Sequence, residues 1–165
     1  MRARSSVPRR PRLIRLPIGR WVQIQPVTTT SNGLLDVPTE EDIAGWWAGG
    51  SGLAEPTGSV LVVAHVDAQT PALGPFASLL SARPGERVRV WGGGLRRTFE
   101  VRTRTLRPRR TVEPASWLHS PQGPVRLTLV TCAGPYDTTN GGHQNLAIIV
   151  AVPLAEARSR PSFLR

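Results

Sequence analysis

The chain has 165 residues, 39% of them apolar and 19% charged, with a formal net charge of +10. That length and balance fit one compact domain burying roughly two thirds of its unfolded surface, and they exclude a disordered chain. A single Cys excludes an internal disulfide and a multi-Cys zinc site, and no run approaches the ~20 apolar residues of a membrane-spanning helix.

Sixteen Gly and sixteen Pro favour many short elements over a helical bundle. Residues 1–11 are polar, basic and Pro-punctuated, and read as a flexible arm. Short strands are expected at 12–17 and 21–25, the second alternating Trp21, Gln23 and Gln25 with Val22 and Ile24. Ser31-Asn32-Gly33 is a turn. Thr39 followed by Asp42 has the shape of a capped helix start, which predicts a brief helix with Ile43, Trp46 and Trp47 on its apolar side. Val60–Ala64 is a run of five apolar residues, as in a strand buried on both faces, and it stops at His65. A short helix is expected over Ala72–Leu80, with Phe76, Leu79 and Leu80 inward.

Arg87–Trp91 alternates as a strand, and Gly92-Gly93-Gly94 reverses the chain into a second strand at 97–105. On that second strand Glu100, Arg102 and Arg104 fall on one side, with Phe99, Val101 and Thr103 on the other. Residues 106–124 form a long Pro-rich connection with one helical turn at Pro114–Leu118, and a loop of that length is more often functional than idle. Val125–Thr131 is a strand delivering Cys132 at its end. Ala133–Gln144 is a loop, and Leu146–Val152 a closing strand. The tail spans 154–165. Many short strands with small helices between them predict an all-β chain closed into a barrel, one domain over 12–153.

All 21 basic residues are Arg, which by itself reads as codon bias. Seven fall in residues 1–20 and ten in 83–110, against Glu86 and Glu100 in the latter. Such a balance suits nucleic acid or another anionic surface, or else a solvated strand face. No aromatic residue interleaves with the arginines on the polar face of 98–104, so a base-stacking platform is not indicated and no nucleic-acid partner is expected.

His65, His119, His143 and Cys132 are the near-neutral titrating side chains. His65 and Cys132 both follow strongly apolar strands, where a side chain is held by the sheet yet faces solvent. A thiolate paired with an imidazolium can open an amide through a thioester. Taken alone, Cys132 fits a buried small hydrophobe, and His65 a hydrogen-bonded structural histidine, as well as either fits catalysis. The His spacings match no zinc pattern, so neither metal nor cofactor is expected.

Leu127-Thr-Leu-Val-Thr-Cys132 resembles the Thr-Leu-x-Thr-Cys signature that ends the nucleophile strand of sortases, and Gly58–Asp67 resembles the segment presenting their catalytic His. The His65-Val-Asp67 order, Gly74-Pro-Phe76, Leu79 and Arg83-Pro-Gly-Glu86 resemble the actinobacterial class F branch. Arg15–Gly19 and Asp36-Val-Pro38 through Trp47 fit the same branch.

The resemblance implies an eight-stranded sortase-type β-barrel with a few short helices, and a cysteine transpeptidase. Cys132 would cleave a Leu-Pro-x-Thr-Gly-like sorting signal of a surface protein, with His65 as acid and base. A cell-wall precursor or pilin amine would accept the acyl group. Thr131 and the 106–124 loop would lie along the substrate groove, and Asp67 could orient His65. The family places an Arg after the Cys, but residues 133–157 contain none. Aligning on Asn145 puts His143 at that position, with Gln144 as the next candidate and a substrate contact. A catalytically impaired relative that binds sorting signals is the alternative. The resemblance implies an extracytoplasmic, monomeric protein, although no anchor or signal segment is visible in these residues.

Overall fold

In the computed structural model, residues 9–17, 21–28, 38, 42–64, 76–108, 120–137, 139 and 142–154 are described, those at 132–137 and 142–144 by backbone alone. Eight strands carry the fold: β1 (Leu13–Arg15), β2 (Trp21–Val27), β3 (Ile43–Trp47), β4 (Ser59–Val63), β5 (Arg87–Gly92), β6 (Leu95–Pro108), β7 (Arg126–Asp137) and β8 (Gly142–Pro153). They close into a barrel, as expected of the sequence, and its strand order is β1-β2-β3-β4-β7-β8-β6-β5. The neighbours β2–β3 and β4–β7 run parallel, and the remaining pairs are antiparallel.

Alternation writes the barrel wall. On β2, Val22 and Ile24 are buried while Trp21 and Gln23 are exposed; on β5, Val88 and Val90 are buried between exposed Arg87 and Arg89. These inward residues meet Ile14, Trp46, Phe99 and Leu129 in one interior core. β4 is buried throughout because it has apolar company on both sides. Val60 and Val62 belong to the interior core, whereas Leu61 and Val63 join Val130 and Ile148 in a second cluster, flanked by Trp47, Leu146 and Val150. The five-residue apolar run is therefore a central strand covered twice.

Several expected elements differ. The helix predicted through Ile43–Trp47 is the strand β3, laid parallel on β2 with Gly45 opposite Gln25. Space decides this: a Cβ at Gly45 would come within 2.8 Å of Pro38 and Val27, so the chain packs as an extended ribbon where only glycine fits. The buried Trp46 ring then donates its Nε1 hydrogen to the Ser51 carbonyl at 3.0 Å. The expected helix over Ala72–Leu80 is a 3-10 turn, Ala77–Ser81, with 72–75 outside the described residues. Phe76 and Leu79 point inward as expected, but Leu80 is exposed, because a turn this short has only one side to bury.

The Gly reversal is a two-residue hairpin turn: Gly92 pairs with Leu95, and Gly93 and Gly94 both have positive φ (58° and 75°), as a primed turn demands. β6 continues to Pro108, shortening the expected connection, and 109–119, including the turn at 114–118, lies outside the described residues. A bulge between Val101 and Thr103 breaks the alternation there, so Thr103 is exposed rather than on the side of Phe99 and Val101. The segment Ala133–Gln144, expected as a loop, is largely the hairpin of β7 with β8. Of the expected arm, residues 9–11 lie against the barrel: the Leu53 amide donates to the Arg9 carbonyl at 2.9 Å, and Arg9 reaches the Gly93 carbonyl at 3.2 Å. Residues 1–8 and 155–165, and the turn at 31–33, are outside the described residues.

One polar pair interrupts the apolar β4–β7 seam. The hydroxyls of Ser59 and Thr128, both buried, hydrogen-bond at 2.8 Å. Ser59→Ala or Thr128→Val strands the other hydroxyl in a dry seam and is expected to lower unfolding free energy by about 1–3 kcal/mol. Removing both should cost less than the two single changes summed, read by urea denaturation of all four proteins; additive losses would show that the hydroxyls do not act as a pair.

Candidate functional site

β4 ends beside the middle of β7, which runs on past it in its pairing with β8. Their parallel ladder runs from Ser59 opposite Arg126 to Val63 opposite Val130. One further bond extends it, from the Ala64 amide to the Val130 carbonyl at 3.2 Å. Beyond that rung a side chain takes over. Thr131, only 2% exposed, donates its hydroxyl to the Ala64 carbonyl at 2.8 Å. The backbone is thus pinned at the residue immediately before His65 on one strand and the residue immediately before Cys132 on the other.

β8 flanks β7 on its other side. Cys132 lies opposite Leu146 and Ala133 opposite Asn145, after which the register shifts so that Tyr136 opposes His143. Three steps along β7 thereby match two along β8, a bulge of one residue at Gly134-Pro135. Proline explains its place, since it has no amide hydrogen to give a regular ladder. The backbone at Cys132, His143 and Gln144 therefore belongs to one antiparallel hairpin rather than to a strand and a loop.

Of the residues singled out from sequence, Thr131 is the one whose side chain the structure describes. Cys132, His143 and Gln144 are placed by backbone, and His65, Asp67 and His119 lie outside the described residues. Sequence reasoning missed the hydroxyl ties Ser59–Thr128 and Thr131–Ala64. Their only trace was a Ser or Thr set into otherwise apolar strands. It also missed the hairpin, whose signal was the Gly134-Pro135 bulge between two paired segments. Among the described residues no cluster of three His, Cys, Asp or Glu could hold a metal ion, and no helix is long and apolar enough to cross a membrane.

The family profile for the sortase domain matches residues 16–153, nearly the whole barrel. No curated protein sequence matches the chain significantly. Among solved structures, sortase C-1 from Actinomyces oris superposes with a TM-score of 0.63 at 21% identity, covering 86% of this chain and 70% of that one. Sortase C2 of Group B Streptococcus Pilus Island 1 gives 0.64 at 17% identity, over 86% and 72% of the two chains. A lid mutant of sortase A from Corynebacterium diphtheriae gives 0.64 at 18% identity, over 90% and 72%. At these identities the structures speak for the fold, and the domain profile speaks for the family. The chain belongs to the sortases, a family of cell-surface cysteine transpeptidases.

Proposed function

We propose that this chain is a class F-like sortase in which Cys132 and His65 carry acyl transfer. The observation that supports the pairing is the β4–β7 ladder. Its last rung, Val63 opposite Val130, stops two residues short of His65 on one strand and two short of Cys132 on the other. If the chain kept this parallel register for two more residues, positions 65 and 132 would be adjacent sites about 4.8 Å apart across the sheet.

Cys132 Sγ, as thiolate, attacks the Thr carbonyl carbon of a Leu-Pro-x-Thr-Gly-like signal. The tetrahedral oxyanion collapses, the C–N bond to Gly breaks, and His65 gives its proton to the departing amine. An acceptor amine then attacks the thioester, losing a proton to His65 as the new amide forms and the thiolate leaves. A cell-wall precursor or pilin amine fits this second step, and one neighbour in fold is a pilus sortase. Asp67, two residues past His65, is suited to orienting its ring. The extracytoplasmic place and monomeric state follow from the same family reading.

The oxyanion needs a donor, and no Arg occurs between Cys132 and Arg158. The register supports Gln144 over His143. Leu146, opposite Cys132, belongs with Ile148 and Val150 to the cluster that also holds Val130, on the outer side of the sheet. Ala147 and Ile149 line the interior. Counting by twos along each strand assigns positions 130, 132, 144 and 146 to one side, and 143 to the other. The amide of Gln144 donates hydrogen bonds without the fixed charge and fork of Arg. Thr131 serves in this scheme as a positioning residue, since its hydroxyl is committed to Ala64 rather than to the groove.

A second reading, a sortase that binds sorting signals without turning them over, is favoured by the missing Arg alone. Incubation with a Leu-Pro-x-Thr-Gly peptide separates the two. Transfer predicts a peptide thioester on the intact protein by mass spectrometry, absent in Cys132→Ala. Binding alone predicts no adduct and an affinity that Cys132→Ala keeps. Gln144→Arg is expected to raise turnover by up to about 10²-fold, the worth of one well-placed oxyanion donor, whereas His143→Arg should not. A gain confined to His143→Arg would reverse the assignment. Thr131→Val should cost about 1 kcal/mol of stability and slow transfer, with Thr131→Ser restoring both; an unaffected Thr131→Val would show that the tie positions nothing.

A further inference from the structure

The barrel wall made by β2, β1, β5 and β6 carries an exposed apolar and cationic face. Two rungs cross all four strands. One reads Trp21, Arg15, Arg89, Thr98, and the next Gln23, Leu13, Trp91, Arg96. Directly paired residues lie on the same side of a sheet, and here that side is outward. Leu13 is 39% exposed and Trp21 44%. The two indoles meet diagonally at 4.3 Å between ring centres with planes 54° apart, and the Arg15 guanidinium sits 5.6 Å over the Trp21 ring. Beside them a shallow groove of about 510 Å³ runs between Arg12, Leu13, Trp91 and Arg96. Glu100, opposite Arg87, is the carboxylate at the edge of this face.

We infer that this wall docks the barrel on an anionic lipid surface, with Leu13, Trp21 and Trp91 seated among the headgroups and the neighbouring arginines on the phosphates. Charge complementarity argues for an anionic partner, because exposed arginines outnumber carboxylates across all four strands. The apolar members decide which anion. Two indoles packed against each other at an angle, one of them covered by Arg15, offer no parallel open faces for bases to stack on. A leucine and a tilted indole pair form instead a ridge of the composition favoured at the boundary between headgroups and acyl chains. Position agrees. In the closed strand order β1 lies four strands from β7 in either direction, so a bilayer against this wall leaves the seam of β4 and β7 on the far side.

The test uses the full chain with vesicles of phosphatidylcholine, alone or mixed with phosphatidylglycerol. Flotation should show binding only to the mixed vesicles, weakened by added salt. Brominated acyl chains should quench Trp emission, and the Trp21→Phe, Trp91→Phe variant should bind yet lose that quenching. Leu13→Ser with Trp21→Ser should weaken binding on the order of tenfold, since affinity follows the apolar area seated in the interface. Arg89→Ser and Arg96→Ser should each weaken it by about fivefold. Circular dichroism of every variant confirms the folded barrel. No binding to the mixed vesicles overturns the inference. So does binding without quenching that survives the loss of Leu13 and Trp21, which would reduce it to loose association of charges. RNA bound as tightly, and lost with the same substitutions, would assign the wall to nucleic acid instead.

Discussion

The pairing of β4 with β7 is the constraint on which the rest depends. Parallel neighbours cannot be joined by a tight turn, so the 62 residues between Val63 and Arg126 must leave the sheet and come back into register. They wrap the β5–β6 hairpin round the other side of the barrel on the way. What holds the returning strand is apolar burial on both faces of the seam, with two hydroxyl ties in it. Ser59 and Thr128 lock the start, and Thr131 and Ala64 lock the end. Each tie satisfies polar groups that burial would otherwise leave unpaired, so slipping the register by one residue would strand hydroxyls and turn the apolar side outward. The geometry at the end of β4 inherits its accuracy from that seam.

Strand identity and barrel closure were legible in the sequence because alternation is a local signal. Val22 and Ile24, Val88 and Val90, and the unbroken run of Val60–Ala64 each announced their burial. What failed was decided by distant neighbours. The helix-start pattern before Ile43 lost to Gly45, whose close approach to Pro38 and Val27 cannot be seen from residues 39–47. The 133–144 stretch is rich in turn residues, yet one bulge at Gly134-Pro135 lets it pair as a hairpin. The same bulge bears on the candidate site. An alignment anchored on Asn145 favours His143, whereas a count from the Cys132–Leu146 rung favours Gln144, and the difference is one residue absorbed on β7.

The outer wall teaches the complementary lesson. On the polar face of 98–104 the arginines have no aromatic company, which reads as a solvated strand face. Trp21 and Trp91 come to that wall from other strands, more than 70 residues apart in the case of Arg15 and its partner Arg89. Sheet pairing thus turned dispersed basic residues into a continuous aromatic and cationic face. It stands across the barrel from the seam where chemistry is proposed, so anchoring and acyl transfer need not compete for the same surface.

The most direct measurement of the central claim exploits the single Cys of the chain. In a His65→Cys variant, mild oxidation should close an intramolecular disulfide with Cys132, seen as loss of both free thiols and of two hydrogens from the intact mass. Such a bond requires Cα atoms within about 4.4–6.8 Å, the separation that neighbouring positions on adjacent strands provide. Two thiols that stay free under oxidation, or that pair only between molecules, would show that β4 and β7 do not bring positions 65 and 132 together.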